Sequence, residues 1–186
     1  AKEYLLKLHM HHLDVLNSEK IILEITRNKS FKNLPDHYKY RISIYKVYWQ
    51  LMKDELLTKE NKRLKIAKLL NDLQGDISDR NGFVFAIKII ELIESLRSED
   101  YDMFYEKSIL IKRYSKQYLS KENTQRESWL IELLSKIHQN KNNKQIIAKE
   151  NAEFLLKLKS NNDLLLVNDY EILPYHFLWE IILKYL

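Results

Sequence analysis

The sequence predicts an all-α protein, built as a right-handed array of antiparallel helix pairs (an α-solenoid) with a C-terminal capping helix. Three observations favour this fold class. Only two glycines and two prolines occur in 186 residues, too few for the closely spaced turns that strand proteins need. Apolar residues recur at helical spacing along most of the chain. Turn-forming stretches then divide the predicted helices into pairs of similar length.

Composition limits the classes of function that the chain can serve. Hydrophobic residues make up 45% of the chain and charged residues 31%, which is typical of a globular protein. The absence of cysteine excludes disulfides, thiol catalysis and thiolate metal sites. No apolar run approaches the roughly 20 residues of a membrane span, and the first residues do not resemble a secretion signal. We therefore expect a cytoplasmic protein without a membrane partner. Because the chain does not begin with methionine, it is compatible with a fragment of a longer protein.

Four helices are predicted before the centre of the chain. Asn17 and Ser18 follow the first helix, and either side chain can cap the second. Pro35 lies near the first turn of the third helix, which is rich in aromatic residues. The polar stretch 74–82 contains both glycines and is the strongest predicted turn. The four predicted helices span residues 2–16, 19–27, 35–57 and 62–73.

The central predicted helix, over 82–96, is apolar around most of its circumference. Its polar residues form a narrow line of Lys88, Glu91 and Glu94 at three-residue spacing. A helix of this kind must be covered on several sides. We therefore predict that it is the most buried element of the protein.

The C-terminal half continues the same alternation of helices and turns. Ser98 is predicted to cap a helix that ends near Leu119. Thr124 and Glu127 form a capping-box pattern, which predicts the start of a helix that continues through residue 137. The remaining predicted elements are a helix over 145–158, a short apolar stretch over 164–167 and a last helix that begins at Pro174.

The predicted helix pairs recur with a weak period. First helices begin near Pro35, Arg80 and Thr124, about 44 residues apart, and each is followed by a second helix. Stacked pairs of this length bury their apolar sides on one another. A compact irregular helical bundle is the alternative architecture. The predicted organisation is one domain over residues 1–186, with units at 1–33, 34–78, 79–122 and 123–160 and a cap at 161–186.

Residues inside these pairs carry a resemblance to a known class. Tyr45, Tyr48 and Trp49 lie in the first pair, Ala86 in the second and Trp129 in the third. With the helix-pair period, they make the chain resemble the tetratricopeptide-like (TPR-like) helical-repeat superfamily in its architecture. The resemblance implies a non-enzymatic scaffold that binds a protein or peptide. It assigns no peptide-binding residue here, because the consensus period is shorter, about 34 residues, and has a glycine inside the first helix.

Seven polar or amphipathic residues on predicted first helices are candidates for binding a partner. Tyr38, Arg41, Tyr45 and Tyr48 share one helix face at spacings of three, four and three. Stacked tyrosines with a guanidinium can form a platform for a peptide or for bases. The alternative is that these tyrosines are core residues whose hydroxyls find partners. The predicted partner-binding residues are Tyr38, Arg41, Tyr45, Tyr48, Lys88, Glu91 and Glu94.

Basic residues on two predicted second helices suggest an alternative function. If those helices lie side by side, their cations form a strip that attracts nucleic-acid phosphates. The other interpretation is a solvated outer face with salt bridges, since acidic residues lie nearby and the net charge is only +5. The residues of the alternative nucleic-acid site are Lys59, Lys62, Arg63, Lys65, Lys68, Lys112, Arg113 and Lys116.

Neither a metal site nor an active site is predicted. His9, His11, His12 and Asp14 lie close in sequence, but on a helix only His9 and His12 share a face. The zincin pattern needs histidines at i and i+4 around a glutamate, which this stretch lacks. No nucleophile elbow, P-loop or paired-carboxylate motif occurs elsewhere. We therefore predict no metal, no cofactor and no enzymatic activity.

Overall fold

The computed structural model of the protein describes residues 2–57, 83–119, 125–139, 143–160 and 171–186. Within these ranges every regular element is a helix, so the predicted all-α class is confirmed. Two predicted elements, the helix over 62–73 and the apolar stretch over 164–167, lie outside the described residues.

Nine α-helices and one 3₁₀ turn occur in the described ranges. The 3₁₀ turn spans Lys29–Asn33 and lies between the second and third α-helices. Six of these α-helices begin within one residue of the position predicted from the sequence. The α-helices are α1 (Lys2–His11), α2 (Val15–Arg27), α3 (Asp36–Leu57), α4 (Phe83–Arg97), α5 (Tyr101–Tyr118), α6 (Gln125–Gln139), α7 (Lys144–Glu150), α8 (Ala152–Ser160) and α9 (Tyr175–Tyr185).

The chain divides into two compact units, called the first and the second unit below, which span Ala1–Ile87 and Lys88–Leu186. In the first unit α1 packs on α2, and α2 packs on α3. Apolar side chains at helical spacing fill these contacts and are removed from water almost completely. They include Leu6, Met10, Ile44, Leu51 and Met52.

Two hydrogen bonds fix the aromatic helix α3 within the first unit. Tyr48 Oη donates to the carbonyl oxygen of Ala86 over 2.7 Å, and Trp49 Nε1 donates to the carbonyl oxygen of Val15 over 3.1 Å. A buried polar group is costly unless it has such a partner. Burial also raises the pKa of Tyr48 far above its usual value, because the phenolate would lose its water. The hydroxyl therefore remains a donor.

In the second unit α5 packs on α6, and the last helix, α9, packs on both α6 and α8. Its apolar residues Phe177, Leu178 and Trp179 are buried. A helix that is apolar on most sides needs cover on most sides, and two helices of the same unit provide part of it.

The central helix α4 is buried along its length, as the sequence predicts. Phe85, Ala86, Leu92 and Ile93 have at most 1% of their surface exposed. Lys88, Glu91 and Glu94 are only partly buried, so the narrow polar line on this helix is present in the structure.

The turns that end α1 and α4 have the same backbone geometry. Leu13 and Glu99 adopt the left-handed conformation, with φ of 55° and 61°. In each turn the next amide, of Asp14 or Asp100, donates to the carbonyl five residues earlier, which is a Schellman motif. The carboxylate of the same aspartate then accepts from the amide three residues later and caps the following helix.

These turns correct two predicted boundaries. The single helix predicted over 2–16 is wrong, because a left-handed residue ends α1 and a separate helix follows. Asp14 caps α2 in place of the two residues predicted for that role. Likewise, Asp100 caps α5 in place of Ser98, because the chain reaches helical geometry two residues later than predicted.

The helix predicted over 145–158 is also wrong as one element, because Asn151 divides it into α7 and α8. Asn151 has φ of −102° and ψ of 1°, which lies outside helical geometry. Asparagine is a weak helix former, because its side chain competes for backbone hydrogen bonds. A second asparagine, Asn143, caps α7 by accepting from the amide of Ile146.

Candidate functional site

The four candidates on α3 do not form one exposed platform. Tyr38 is 43% exposed and Arg41 is partly buried. Tyr45 and Tyr48, one and two turns further along, are 2% and 1% exposed and belong to the core of the first unit. For these two tyrosines the structure agrees with the core interpretation, and only the start of the helix offers side chains to a partner.

Arg41 is the centre of a contact cluster in the first unit. Its Nη1 atom donates to Glu3 Oε1 over 3.0 Å, and Tyr45 Oη donates to the same carboxylate oxygen over 3.4 Å. The guanidinium carbon lies 5.0 Å from the ring centroid of Phe83 and 5.7 Å from that of Tyr38. Both distances are within the range of cation–π attraction. Arg41 therefore connects α3 with α1, and its charge is paired with that of Glu3.

The polar line on α4 faces α5 in the second unit. Lys88 Nζ lies 5.8 Å above the ring of Tyr114 on α5. From the same helix, Lys107 Nζ donates to the carbonyl oxygen of Glu91 over 3.4 Å. Glu94 forms an ion pair with Arg97 of its own helix, at 3.8 Å. Lys88 and the backbone of Glu91 thus contact α5, and all three predicted residues are partly covered.

The predicted basic strip is described only in part. Lys59, Lys62, Arg63, Lys65 and Lys68 lie outside the described residues. The other three, Lys112, Arg113 and Lys116, are all exposed in the second half of α5. Lys112 Nζ donates to Ser135 Oγ of α6 over 3.3 Å.

Arg113 and Lys116 differ from most cations near them. Within the part of the chain that the structure describes, neither makes a hydrogen bond, an ion pair or a ring contact. Ile109 and Leu110, one turn earlier, are 51% and 49% exposed. Because residues three and four apart share a helix face, these four side chains lie together. We call them the α5 outer face: Ile109, Leu110, Arg113 and Lys116.

The opposite side of the same helix explains why the α5 outer face is left open. Phe104 and Ile111, seven residues apart, are fully buried, and Ser108 between them is partly buried. The helix packs on α6 in the second unit. The α5 outer face lies on the other side of the helix, and its two cations make no hydrogen bond, ion pair or ring contact within the described residues.

A buried polar network in the second unit was not predicted from sequence. Arg126 donates twice to Glu171, from Nε to Oε2 over 2.6 Å and from Nη2 to Oε1 over 2.8 Å. Its Nη1 atom donates to the carbonyl oxygen of Leu158 over 3.0 Å. Burial opposes the charge of Arg126, but hydrogen bonds and attraction from Glu171 prevail and raise the pKa of the guanidinium.

The network continues into the last helix. Glu171 Oε1 also accepts from the backbone amide of Tyr175, over 2.8 Å. Tyr175 Oη in turn donates to Glu127 Oε1 over 2.8 Å. Arg126 is 5% exposed and the two glutamates are fully buried. The network joins α6, α8 and the start of α9. Because every member is enclosed, the network offers no open position to a substrate. Glu127, predicted as a capping residue, takes part in this network.

The histidine-rich stretch gives no metal centre. His9 Nδ1 and Asp14 Oδ2 are 3.2 Å apart, while His11 is buried and His12 is exposed. Hydrogen bonds from the side chain and amide of Asn17 lower the pKa of Asp14, whose role is that of a helix cap. Among the described residues no three His, Cys, Asp or Glu side chains are placed to hold a metal ion.

Comparison of the chain with protein-family models, with curated protein sequences and with solved structures finds no match. No helix in the described ranges has both the length and the apolar composition needed to cross a bilayer. The α5 outer face combines exposed apolar side chains with cations that have no partner among the described residues.

Proposed function

We propose that the protein is a non-enzymatic helical scaffold that binds a protein or peptide segment. The observation that carries the proposal is the α5 outer face, where two aliphatic side chains are half exposed beside two unpaired cations. Arginine is enriched in protein interfaces, and the centres of interfaces are apolar. A surface of this composition gains free energy when a partner covers it.

The proposal includes the TPR-like architecture, a right-handed array of antiparallel helix pairs in a cytoplasmic protein. It is supported by the packing of consecutive helices, α1 on α2 and α5 on α6. It is also supported by the turns at Asp14 and Asp100, which have the same hydrogen bonds although their sequences differ. A junction that recurs in this way is expected in a chain made of helix pairs.

Of the seven residues predicted to bind a partner, Tyr38 is the most exposed and is kept in this proposal. Arg41, Lys88, Glu91 and Glu94 are partly exposed and remain predicted contact residues. Tyr45 and Tyr48 are left out because they are buried.

Selection of peptides from an unbiased random library against the intact 186-residue chain tests the scaffold function. We expect enriched peptides that bind with one-to-one stoichiometry in isothermal titration calorimetry. They should also give the negative heat-capacity change that accompanies burial of apolar surface. A library from which no peptide is enriched would contradict the proposal.

A further inference from the structure

We propose that the α5 outer face binds an acidic amphipathic segment of another protein, such as a helix with carboxylates beside an apolar stripe. The inference depends on the proposed scaffold function and adds the position of the site and the chemistry of the partner. The apolar part of the α5 outer face is the pair Ile109 and Leu110, and its charged part is Arg113 with Lys116.

The charged residues in the last two-thirds of α5 are all cations. Residues 107–118 contain four cations and no acidic residue. Cations near a helix C-terminus also interact favourably with the helix dipole, which is one reason for their position. The helix dipole does not explain why two exposed aliphatic residues, Ile109 and Leu110, lie among these cations. The cations are Lys107, Lys112, Arg113 and Lys116.

The pairing state of the cations favours an external anion. Elsewhere in the second unit, Lys157 pairs with Glu153 over 2.6 Å and Lys159 pairs with Glu180 over 3.1 Å. Arg113 and Lys116 have no such partner within the described residues. An acidic segment would supply the missing carboxylates, and complementary charge of this kind raises both specificity and the association rate.

The aliphatic residues favour a protein over nucleic acid as the occupant. Surfaces that bind single-stranded nucleic acid combine cations with aromatic side chains on which bases stack. Ile109 and Leu110 cannot stack on a base, and phosphates would leave them in contact with water. An amphipathic helix, in contrast, places apolar side chains three and four residues apart into such a surface.

A second copy of the chain is a poor occupant of the same face. In a two-fold symmetric dimer the same patch of both copies meets itself. Arg113 and Lys116 of one copy would then lie close to the same cations of the other. Like charges brought together in an interface are unfavourable.

The test uses the peptides selected from the unbiased library and measures their affinity by fluorescence anisotropy. We expect the enriched sequences to be acidic and amphipathic. The variant Arg113→Glu/Lys116→Glu should weaken their binding by about tenfold or more. The matched control Lys29→Glu/Lys32→Glu makes the same change of net charge at exposed sites of the first unit, and should change affinity less than about twofold.

A second variant, Ile109→Ser/Leu110→Ser, separates the two candidate partners. It should weaken peptide binding while leaving any binding of a single-stranded 20-nucleotide DNA unchanged, because phosphates do not use the aliphatic groups. Circular dichroism of each variant checks that the helices are retained. If the DNA binds more tightly than every selected peptide and loses affinity in Arg113→Glu/Lys116→Glu, the face is a nucleic-acid site and the inference is wrong.

The outcomes distinguish failure of the inference from failure of the scaffold function. Selected peptides that are not acidic, or that bind the Arg113→Glu/Lys116→Glu variant with unchanged affinity, overturn the inference and leave the scaffold function standing. A library that yields no binding peptide overturns both. Acidic peptides that lose affinity in both α5 variants but not in the control support the inference.

Discussion

Arg126 and Arg113 belong to the same unit but have opposite surroundings. Arg126 is buried, makes two hydrogen bonds to Glu171 and has a raised pKa. Arg113 is exposed and has no partner within the described structure. The comparison shows that the location of a charge decides what it contributes. A buried pair makes the fold sensitive to mutation, whereas an unpaired surface charge is available to a partner.

The two regions should therefore respond to mutation in different measurements. Changes in the buried network should alter the free energy of unfolding, because a charge without its partner is enclosed in the core. Changes on the α5 outer face should alter binding and leave stability nearly constant.

The largest expected effect follows from removing the carboxylate of the buried pair. Glu171→Leu leaves the guanidinium of Arg126 enclosed without its partner, and a guanidinium cannot release its proton to become neutral. We expect the free energy of unfolding to fall by about 3–5 kcal/mol, measured by urea denaturation followed by circular dichroism.

The double variant Arg126→Met/Glu171→Leu is the matched control. It removes both charges, so it should be more stable than Glu171→Leu alone. Arg126→Met alone should cost less than Glu171→Leu, because a buried glutamate can take up a proton. If the loss of stability in the double variant equals the sum of the two single losses, the pair is not coupled and the interpretation fails.

A smaller effect is expected where the network reaches the last helix. Tyr175→Phe removes the hydroxyl that donates to Glu127 and leaves a buried carboxyl group with one bond fewer. We expect a loss of about 1–3 kcal/mol in the free energy of unfolding. Tyr118→Phe, at an exposed tyrosine of the same unit, is the control and should change stability by less than about 0.5 kcal/mol. Equal effects of the two variants would contradict a special role for the Tyr175 hydroxyl.

The smallest expected effect sharpens the contrast with Arg126. Arg113→Ala removes an exposed, unpaired side chain from a helix, and alanine is the better helix former. We expect the free energy of unfolding to change by no more than about 0.5 kcal/mol in the same urea experiment. A loss above about 1 kcal/mol would mean that Arg113 has a structural partner after all.

Local patterns in the sequence are sufficient to predict most of the described helices. The low glycine and proline content and the apolar spacing indicate the all-α class, and the starts of α3, α4 and α9 follow from proline and apolar runs. The errors occur at short turns. A pattern of leucines continues across Leu13 without a glycine or proline to mark the turn, and Asn151 interrupts a continuous apolar stripe.

The candidate site is less predictable, because burial and pairing depend on distant parts of the chain. The spacing of Tyr45 and Tyr48 is equally compatible with a surface and with a core. Tyr48 can be buried because its hydroxyl donates to the carbonyl oxygen of Ala86, a residue 38 positions away in the sequence. Arg126 and Glu171 are 45 residues apart, so no local motif indicates their pairing. The basic character of α5 is visible in the sequence, but the exposure of Ile109 and Leu110 is not.

The turns at Asp14 and Asp100 bear on which substitutions the chain can tolerate. Each junction needs a backbone that tolerates the left-handed conformation and one carboxylate that caps the next helix. Neither requirement restricts the residues of the adjoining helices. Substitutions in the adjoining helices can therefore accumulate without disturbing either junction, provided that the left-handed backbone and the capping carboxylate are retained.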